Sequence, residues 1–92
     1  MSIWRTLFGG GAPAAAGVAR AVEHNGFTIE AAPYPEAGQY QVAGVIRKTI
    51  DGTPREHRFV RADRFATVDE AADFALMKGR QIIDQQGDRL FG

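Results

Sequence analysis

The chain has 92 residues, 45% of them hydrophobic, and its eleven basic and eleven acidic residues give a formal net charge of zero. This length suits one domain with a single core, and the balanced charge supplies no general attraction to nucleic acid or to membrane surfaces. The absence of cysteine excludes disulfides, thiolate nucleophiles and cysteine-ligated metal sites.

The N-terminal quarter joins a short apolar segment to a stretch typical of a linker. Four large apolar side chains stand at i,i+4 spacing on a short predicted helix, Ile3 with Leu7 and Trp4 with Phe8. We interpret these four residues as a partner-docking segment. Residues 9–19 are almost all Gly, Ala and Pro, which predicts a flexible linker and leaves open a frayed helical turn over 14–24. The predicted division is an N-terminal segment at 1–24 and a folded domain at 25–92.

The hydrophobic period changes to two directly after this segment. Phe27, Ile29 and Ala31 alternate with Thr28 and its neighbours, which predicts a half-buried first strand. The two prolines within 33–38 predict a turn that ends this strand, because proline cannot donate to a ladder.

A long hairpin is predicted next. The second strand is expected over 39–50, and Gly44 within it marks a bulge or a close approach of the helix. Asp51 and Gly52 form a strong hairpin signal, and the third strand is expected over 55–62.

The C-terminal part of the chain predicts one long amphipathic helix. Thr67 and Glu70 have capping-box spacing, in which each side chain satisfies a free backbone N–H of the first turn. Small and apolar residues then recur at helical spacing, at Val68, Ala72, Ala75, Leu76, Gly79, Ile82 and Ile83. Gly87 is placed for a left-handed C-cap, after which Leu90 and Phe91 can fold back on the apolar face.

These elements together predict an α+β fold. It is a three-stranded antiparallel β-meander followed by a long C-terminal helix packed on one sheet face, with a short N-terminal helical segment. Such a sheet has one face under the helix and one open face. Residues 1–8, a second copy of the chain or a protein partner are the alternatives for covering the open face.

A basic stripe on the predicted hairpin is the main candidate site. Six cations lie within eighteen residues, at Arg47, Lys48, Arg55, Arg58, Arg61 and Arg64. Arg55, His57, Phe59 and Arg61 alternate along one strand and are therefore predicted to share a face. Arginines beside an aromatic ring suit phosphate contact and base stacking, so nucleic-acid contact is predicted at Arg47, Lys48, Arg55, Arg58, Phe59 and Arg61. The alternative is a solvated face whose arginines pair with Glu30 or Glu56.

No residue pattern indicates catalysis, a metal or a cofactor. His24 and His57 lack any partner at metal-ligand spacing, and serine occurs only at position 2. Acidic residues at the start of the predicted helix, Asp69, Glu70 and Asp73, are explained by the helix dipole. No apolar run is long enough to span a membrane, and we expect a cytoplasmic, non-enzymatic protein.

Four segments carry a resemblance to a known family. They are NGFTIEAAP, GQYQVAGVIRK, EHRFVRAD and QIIDQQGDRLF, which lie within residues 24–91, and the opening SIWRTLFGGG matches more loosely. In order and spacing they resemble the HlyU family of small bacterial proteins, described as transcriptional activators. The resemblance implies a regulator, with weak contact to nucleic acid as one expectation. The alternative is a protein-interaction or assembly module that uses the open sheet face and the N-terminal apolar segment, as a homodimer or with a protein partner.

Overall fold

The structure is a computed structural model that describes residues 18–92. These residues form one antiparallel sheet, then an α-helix and a short 3₁₀ helix. The elements in chain order are β1 (Arg20–His24), β2 (Phe27–Ala31), β3 (Tyr34–Glu36), β4 (Gln39–Ile50), β5 (Thr53–Phe65), α1 (Val68–Gln86) and the 3₁₀ helix (Gly87–Phe91). The predicted antiparallel sheet with a C-terminal helix is confirmed, but the sheet has five strands instead of three. The predicted helix at residues 1–8 lies outside the described residues.

Strand β4 is the centre of the sheet. One side of β4 pairs with β5 along almost its whole length, and the other side pairs with both β2 and β3. Strand β2 takes the part of β4 from Gly44 to Arg47, whereas β3 takes the part from Gln39 to Gln41. Strand β1 then pairs with β2, so the order across the sheet is β1-β2-β4-β5.

Three two-residue turns connect the hairpins. In each turn a residue with positive φ precedes a glycine with positive φ, at Asn25-Gly26, Ala37-Gly38 and Asp51-Gly52. Positive φ at both central residues is the mark of a type I′ turn, whose twist matches that of the flanking strands. The hairpin predicted at Asp51-Gly52 is confirmed.

Two strands occur where the sequence predicted other structure. Arg20–His24 is a strand paired with β2, not a helical turn, and the sheet therefore begins five residues before the predicted start of the domain. Residues 34–36 form a short strand within the predicted turn. Pro35 is tolerated there because β3 pairs on one side only, with β4, and proline is confined to such edge strands.

The core lies between α1 and one face of the sheet. Directly opposed residues of antiparallel strands share a face, so the pair Ile29 and Ile46 lies on the same side as Phe59 and its partner Gly44. The helix buries Ala71, Ala72, Ala75, Leu76, Gly79 and Ile83 against this face. The predicted apolar stripe of the helix is confirmed apart from Val68, which is exposed.

Gly44 accommodates a side chain of the sheet and not the helix. A Cβ built on it would lie 2.7 Å from Cζ of Phe59. The irregularity of the ladder falls between Gln41 and Ala43 instead. The prediction of a bulge at Gly44 is therefore wrong. A close approach does occur there, but it is made by Phe59 and not by the helix.

The start of the helix follows its local signal closely, whereas its end departs from the prediction in part. The Thr67 hydroxyl accepts a hydrogen bond from the Glu70 N–H at 3.1 Å and donates one to the Glu70 carboxylate at 3.3 Å. At the other end the Gly87 N–H bonds to the carbonyl of Ile83, and Gly87 has a positive φ of 56°. Its ψ of −141° lies outside the left-handed helical region, so the predicted left-handed C-cap is wrong in this respect. The chain then folds back, and the ring of Phe91 stacks on Phe27 at 6.0 Å between centroids.

Candidate functional site

A groove lies where the β4–β5 hairpin extends past the end of β2. Pairing of β2 with β4 stops at Thr28 and Arg47, whereas β4 and β5 stay paired to Ile50 and Thr53. The exposed flank of the hairpin and the β1–β2 turn enclose a volume of ≈ 400 Å³. Its lining residues are Gly26, Thr28, Arg47, Lys48, Thr49, Pro54 and Arg55.

Three of the predicted site residues meet in this groove. Lys48 and Arg55 are cross-strand partners, and they lie on the face of the sheet that α1 covers. Arg47 lies on the other face, opposite Glu56. The three cations therefore approach the groove from both sides of the hairpin. Lys48 and Arg55 thus bring two positive charges to one face of the hairpin beside the groove, an arrangement suited to an anion such as a phosphate.

Arg47 is held by two carboxylates. Its Nε donates to Glu30 Oε1 at 3.0 Å and its Nη1 donates to Glu56 Oε1 at 2.5 Å. The Glu30 side chain is only 5% exposed, so its charge is compensated by Arg47 away from bulk water. Arg58 also meets Glu56, at 3.4 Å. The alternative interpretation, in which arginines of the hairpin pair with Glu30 or Glu56 across the ladder, is confirmed for Arg47, whereas Arg58 meets Glu56 along the same strand.

Lys48 is fixed by the C-terminal 3₁₀ helix. Its Nζ lies 2.9 Å from Asp88 Oδ1 and 4.5 Å from the centroid of the Phe27 ring. Arg55 differs from both other cations, because it is exposed and forms no ion pair within residues 18–92. Arg55 is therefore the cation of the groove most available to a ligand.

The remaining predicted residues do not join the groove. Phe59 is 8% exposed and belongs to the core under α1, so its ring is not available to stack on a base. Arg58 lies on the opposite face, where its side chain is 73% exposed. Arg61 stands at the ladder irregularity, where its carbonyl accepts a hydrogen bond from the Gln41 side chain. Ile3, Trp4, Leu7 and Phe8 lie outside the described residues.

Sequence reasoning missed the part of the groove that comes from the β1–β2 turn. Gly26 and Thr28 line the groove, but they stand more than twenty residues before Thr49 and Pro54. The Asn25-Gly26 dipeptide, a strong hairpin signal, was the local feature that could have placed this turn.

Long-range ion pairs also join β1 to α1. Arg20 Nη1 lies 2.6 Å from Asp73 Oδ1, and His24 Nε2 lies 2.8 Å from Asp84 Oδ1. Asp73, which was interpreted as part of the acidic helix start, thus has a partner on β1 as well. Among the residues the structure describes, no three His, Asp or Glu side chains cluster in a way that could hold a metal ion. None of the helices in that part of the chain is long and apolar enough to cross a membrane.

Comparison with known proteins returns one family. The HlyU family, described as "Transcriptional activator HlyU", matches residues 2–91 of the chain. No curated protein and no solved structure matches it. The match spans nearly the whole sequence, including the resolved sheet, the helix and the N-terminal apolar residues, and it confirms the resemblance of the four segments.

Proposed function

The chain belongs to the HlyU family of transcriptional activators, and from this membership we propose that it is a non-enzymatic regulator that contacts nucleic-acid phosphates through the groove of the β4–β5 hairpin. The observation that carries the proposal is that Arg47, Lys48 and Arg55 all line one groove, with Lys48 and Arg55 paired on the same face. Cations placed in this way recognise phosphate oxygens, which position a protein on nucleic acid without reading its sequence.

The fold points to contact by strands. The described part of the chain has a single α-helix, whose apolar face is buried against the sheet, so a helix-turn-helix pair is absent from residues 18–92. A two-stranded ribbon can enter a groove of duplex DNA, and the free end of the β4–β5 hairpin has this form. Because Phe59 is buried, the hairpin contributes charge but no stacking ring from that position.

The affinity is expected to be modest and strongly dependent on salt. The chain has no net positive charge, and Arg47 and Lys48 each already meet a carboxylate. Non-specific constants of about 10⁻⁴–10⁻⁶ M at physiological salt are the relevant range. Each phosphate contact lowers log K by roughly 0.9 for each unit of log salt concentration.

Fluorescence anisotropy of a labelled duplex, titrated at several salt concentrations, tests this function. We expect binding at low salt, and we expect the double variant Lys48→Gln, Arg55→Gln to reduce the salt slope by about 1.8, the value for two phosphate contacts. Lys78→Gln with Arg80→Gln on α1 is the matched control, because it removes the same charge from two residues that do not line the groove. No anisotropy change up to about 100 μM protein at low salt would sink the proposal, since non-specific dissociation constants are about 100 μM or lower even at physiological salt.

A protein-interaction module is the second candidate function. It is favoured by β5, a strand of 13 residues that pairs with β4 alone among the described strands, and by Val60, which is 58% exposed. β5 carries four arginines against two acidic residues, so a partner strand that pairs along its free edge would be acidic. Sedimentation with an acidic extended peptide distinguishes the two functions: peptide binding that survives Lys48→Gln, Arg55→Gln, without any duplex binding, favours this second function.

A further inference from the structure

The face of the sheet opposite α1, called here the second face, has an apolar patch at its centre. Ala43 and Val60 are cross-strand partners on this face, and Val45 follows Ala43 along the same side of β4. The helix and the 3₁₀ helix both pack on the other face. Within residues 18–92, the second face is therefore formed by strands alone.

The central residues of the second face have the burial of an interior. Ala43 and Val45 are each 7% exposed and Glu30 is 4% exposed. Val60, at the β5 rim of the same patch, is 58% exposed. Side chains on a sheet face in contact with water are ordinarily exposed in part, as Val60 is. The centre of the patch is thus covered, whereas its rim is open.

The described chain starts beside this patch. The Ala19 N–H donates to the carbonyl of Ala31 at 2.8 Å, which fixes the entry of the chain at the end of β1. Ala31 pairs with Gly44, the residue between Ala43 and Val45. β1 and β4 are separated by two inter-strand spacings, which is about 10 Å.

We propose that the apolar segment at residues 1–8 docks on the second face of its own chain. The nine residues 9–17, GGGAPAAAG, connect it to the sheet. A Gly-rich coil of nine residues has a root-mean-square length of about 15–18 Å, which suffices for the 10 Å between β1 and the patch. A short linker of this kind gives an effective concentration in the millimolar range, so the segment of the same chain prevails over that of a second copy in dilute solution.

The chemistry of the two surfaces is complementary. The i,i+4 spacing of Ile3 with Leu7 and of Trp4 with Phe8 would place the four side chains in one apolar strip if the segment is helical when docked. A helix of this length does not persist alone in water and gains its order from the surface it meets.

The composition of the chain allows a direct test of position. Trp4 is the only tryptophan and there is no cysteine, so a nitroxide label on one introduced cysteine quenches a single defined emitter. We expect the labelled Val60→Cys variant to lose most of its tryptophan emission. The labelled Met77→Cys variant is the matched control, because Met77 is also exposed but lies on α1. Equal quenching in both variants, or none with the label at position 60, overturns the proposal.

A mixing experiment separates docking within one chain from exchange between two copies. Labelled Val60→Cys protein that also carries Trp4→Phe has a quencher but no emitter. Mixed with unlabelled wild-type chain, it leaves the emission unchanged if each segment docks on its own sheet. Quenching that grows with the concentration of the labelled chain would assign the second face to another copy and overturn the proposal in its stated form. Circular dichroism of each variant shows that the sheet and helix are retained.

Discussion

Two glycines permit the close approaches on which the core depends. Gly79 faces Ile29, and a Cβ on Gly79 would lie 2.6 Å from Cγ2 of that fully buried side chain. Gly44 faces Phe59, and a Cβ there would also lie 2.8 Å from the carbonyl oxygen of Glu30. Gly79 therefore sets the distance between helix and sheet, whereas Gly44 sets the position of a ring within the sheet face.

Replacing Gly79 by leucine is expected to destabilise the fold. Overpacking against Ile29 costs about 1–3 kcal/mol. The higher helix propensity of leucine returns roughly 0.8 kcal/mol of this, so the free energy of unfolding falls on balance. Thermal or urea unfolding measures the change, and Gln81→Leu, at an exposed position of the same helix, is the control and is expected to stay within about 0.5 kcal/mol. A Gly79→Leu protein that melts like the wild type would show that this helix face does not meet the sheet.

Phe59 illustrates what residue-level periodicity can and cannot establish. Alternation along β5 correctly places Arg55, His57 and Phe59 on one face. It carries no information on which face the helix covers, because that depends on the pairing of β4 with two other strands. The fourth predicted member, Arg61, is displaced by the irregularity opposite Gln41 and Ala43, which no turn or proline signal marks.

At the scale of elements, the helix was predictable because its signals are local. The cap, the apolar period and the terminal glycine all act within a few residues, and α1 has the predicted apolar stripe. Strand β1 was not predictable in the same way. Val22 is its single large apolar residue, and only pairing with β2 through the Asn25-Gly26 turn makes Arg20–His24 extended. The groove was not predictable from local signals either, since its walls come from two hairpins that are separate in the sequence.

Removing the N-cap of α1 tests whether the local signal at Thr67 stabilises the helix. Thr67→Ala deletes the acceptor for the Glu70 N–H and is expected to cost about 0.5–2 kcal/mol. Thr67→Ser keeps a hydroxyl at the same position and is expected to retain most of the stability. Urea unfolding followed by circular dichroism compares the three proteins. Equal losses in both variants would mean that packing of the threonine methyl group matters more than the cap.

At the scale of the whole molecule, the two faces of the sheet differ in what packs on them. The face under α1 holds the core, and the 3₁₀ helix closes it by stacking Phe91 on Phe27 and by pairing Asp88 with Lys48. The same Lys48 lines the groove, so the C-terminal fold-back also orients one cation of the proposed phosphate site. The second face carries the Glu30–Arg47 pair beside its apolar patch, and Arg47 reaches the groove from there. Contacts on both faces of the sheet thus position the cations that line the groove.

Deleting residues 1–11 is expected to separate the folding of the domain from the covering of its second face. Circular dichroism should remain nearly unchanged, because every strand and helix of the described structure lies between Arg20 and Phe91. The patch around Val45 and Val60 then loses its proposed cover, and exposed apolar surface of this kind promotes association. Sedimentation velocity over a concentration series should therefore show self-association of the truncated chain.

The added substitution Val60→Glu is the control for this deletion. Val60 is exposed at the rim of the patch, so a carboxylate there leaves the core intact and is expected to return the truncated chain to the monomer by making the patch costly to bury. Association that persists in this variant would place the contact elsewhere on the molecule. A truncated chain that unfolds would contradict the docking proposal more directly, because residues 1–11 would then be part of the core and not a segment that docks on a finished sheet.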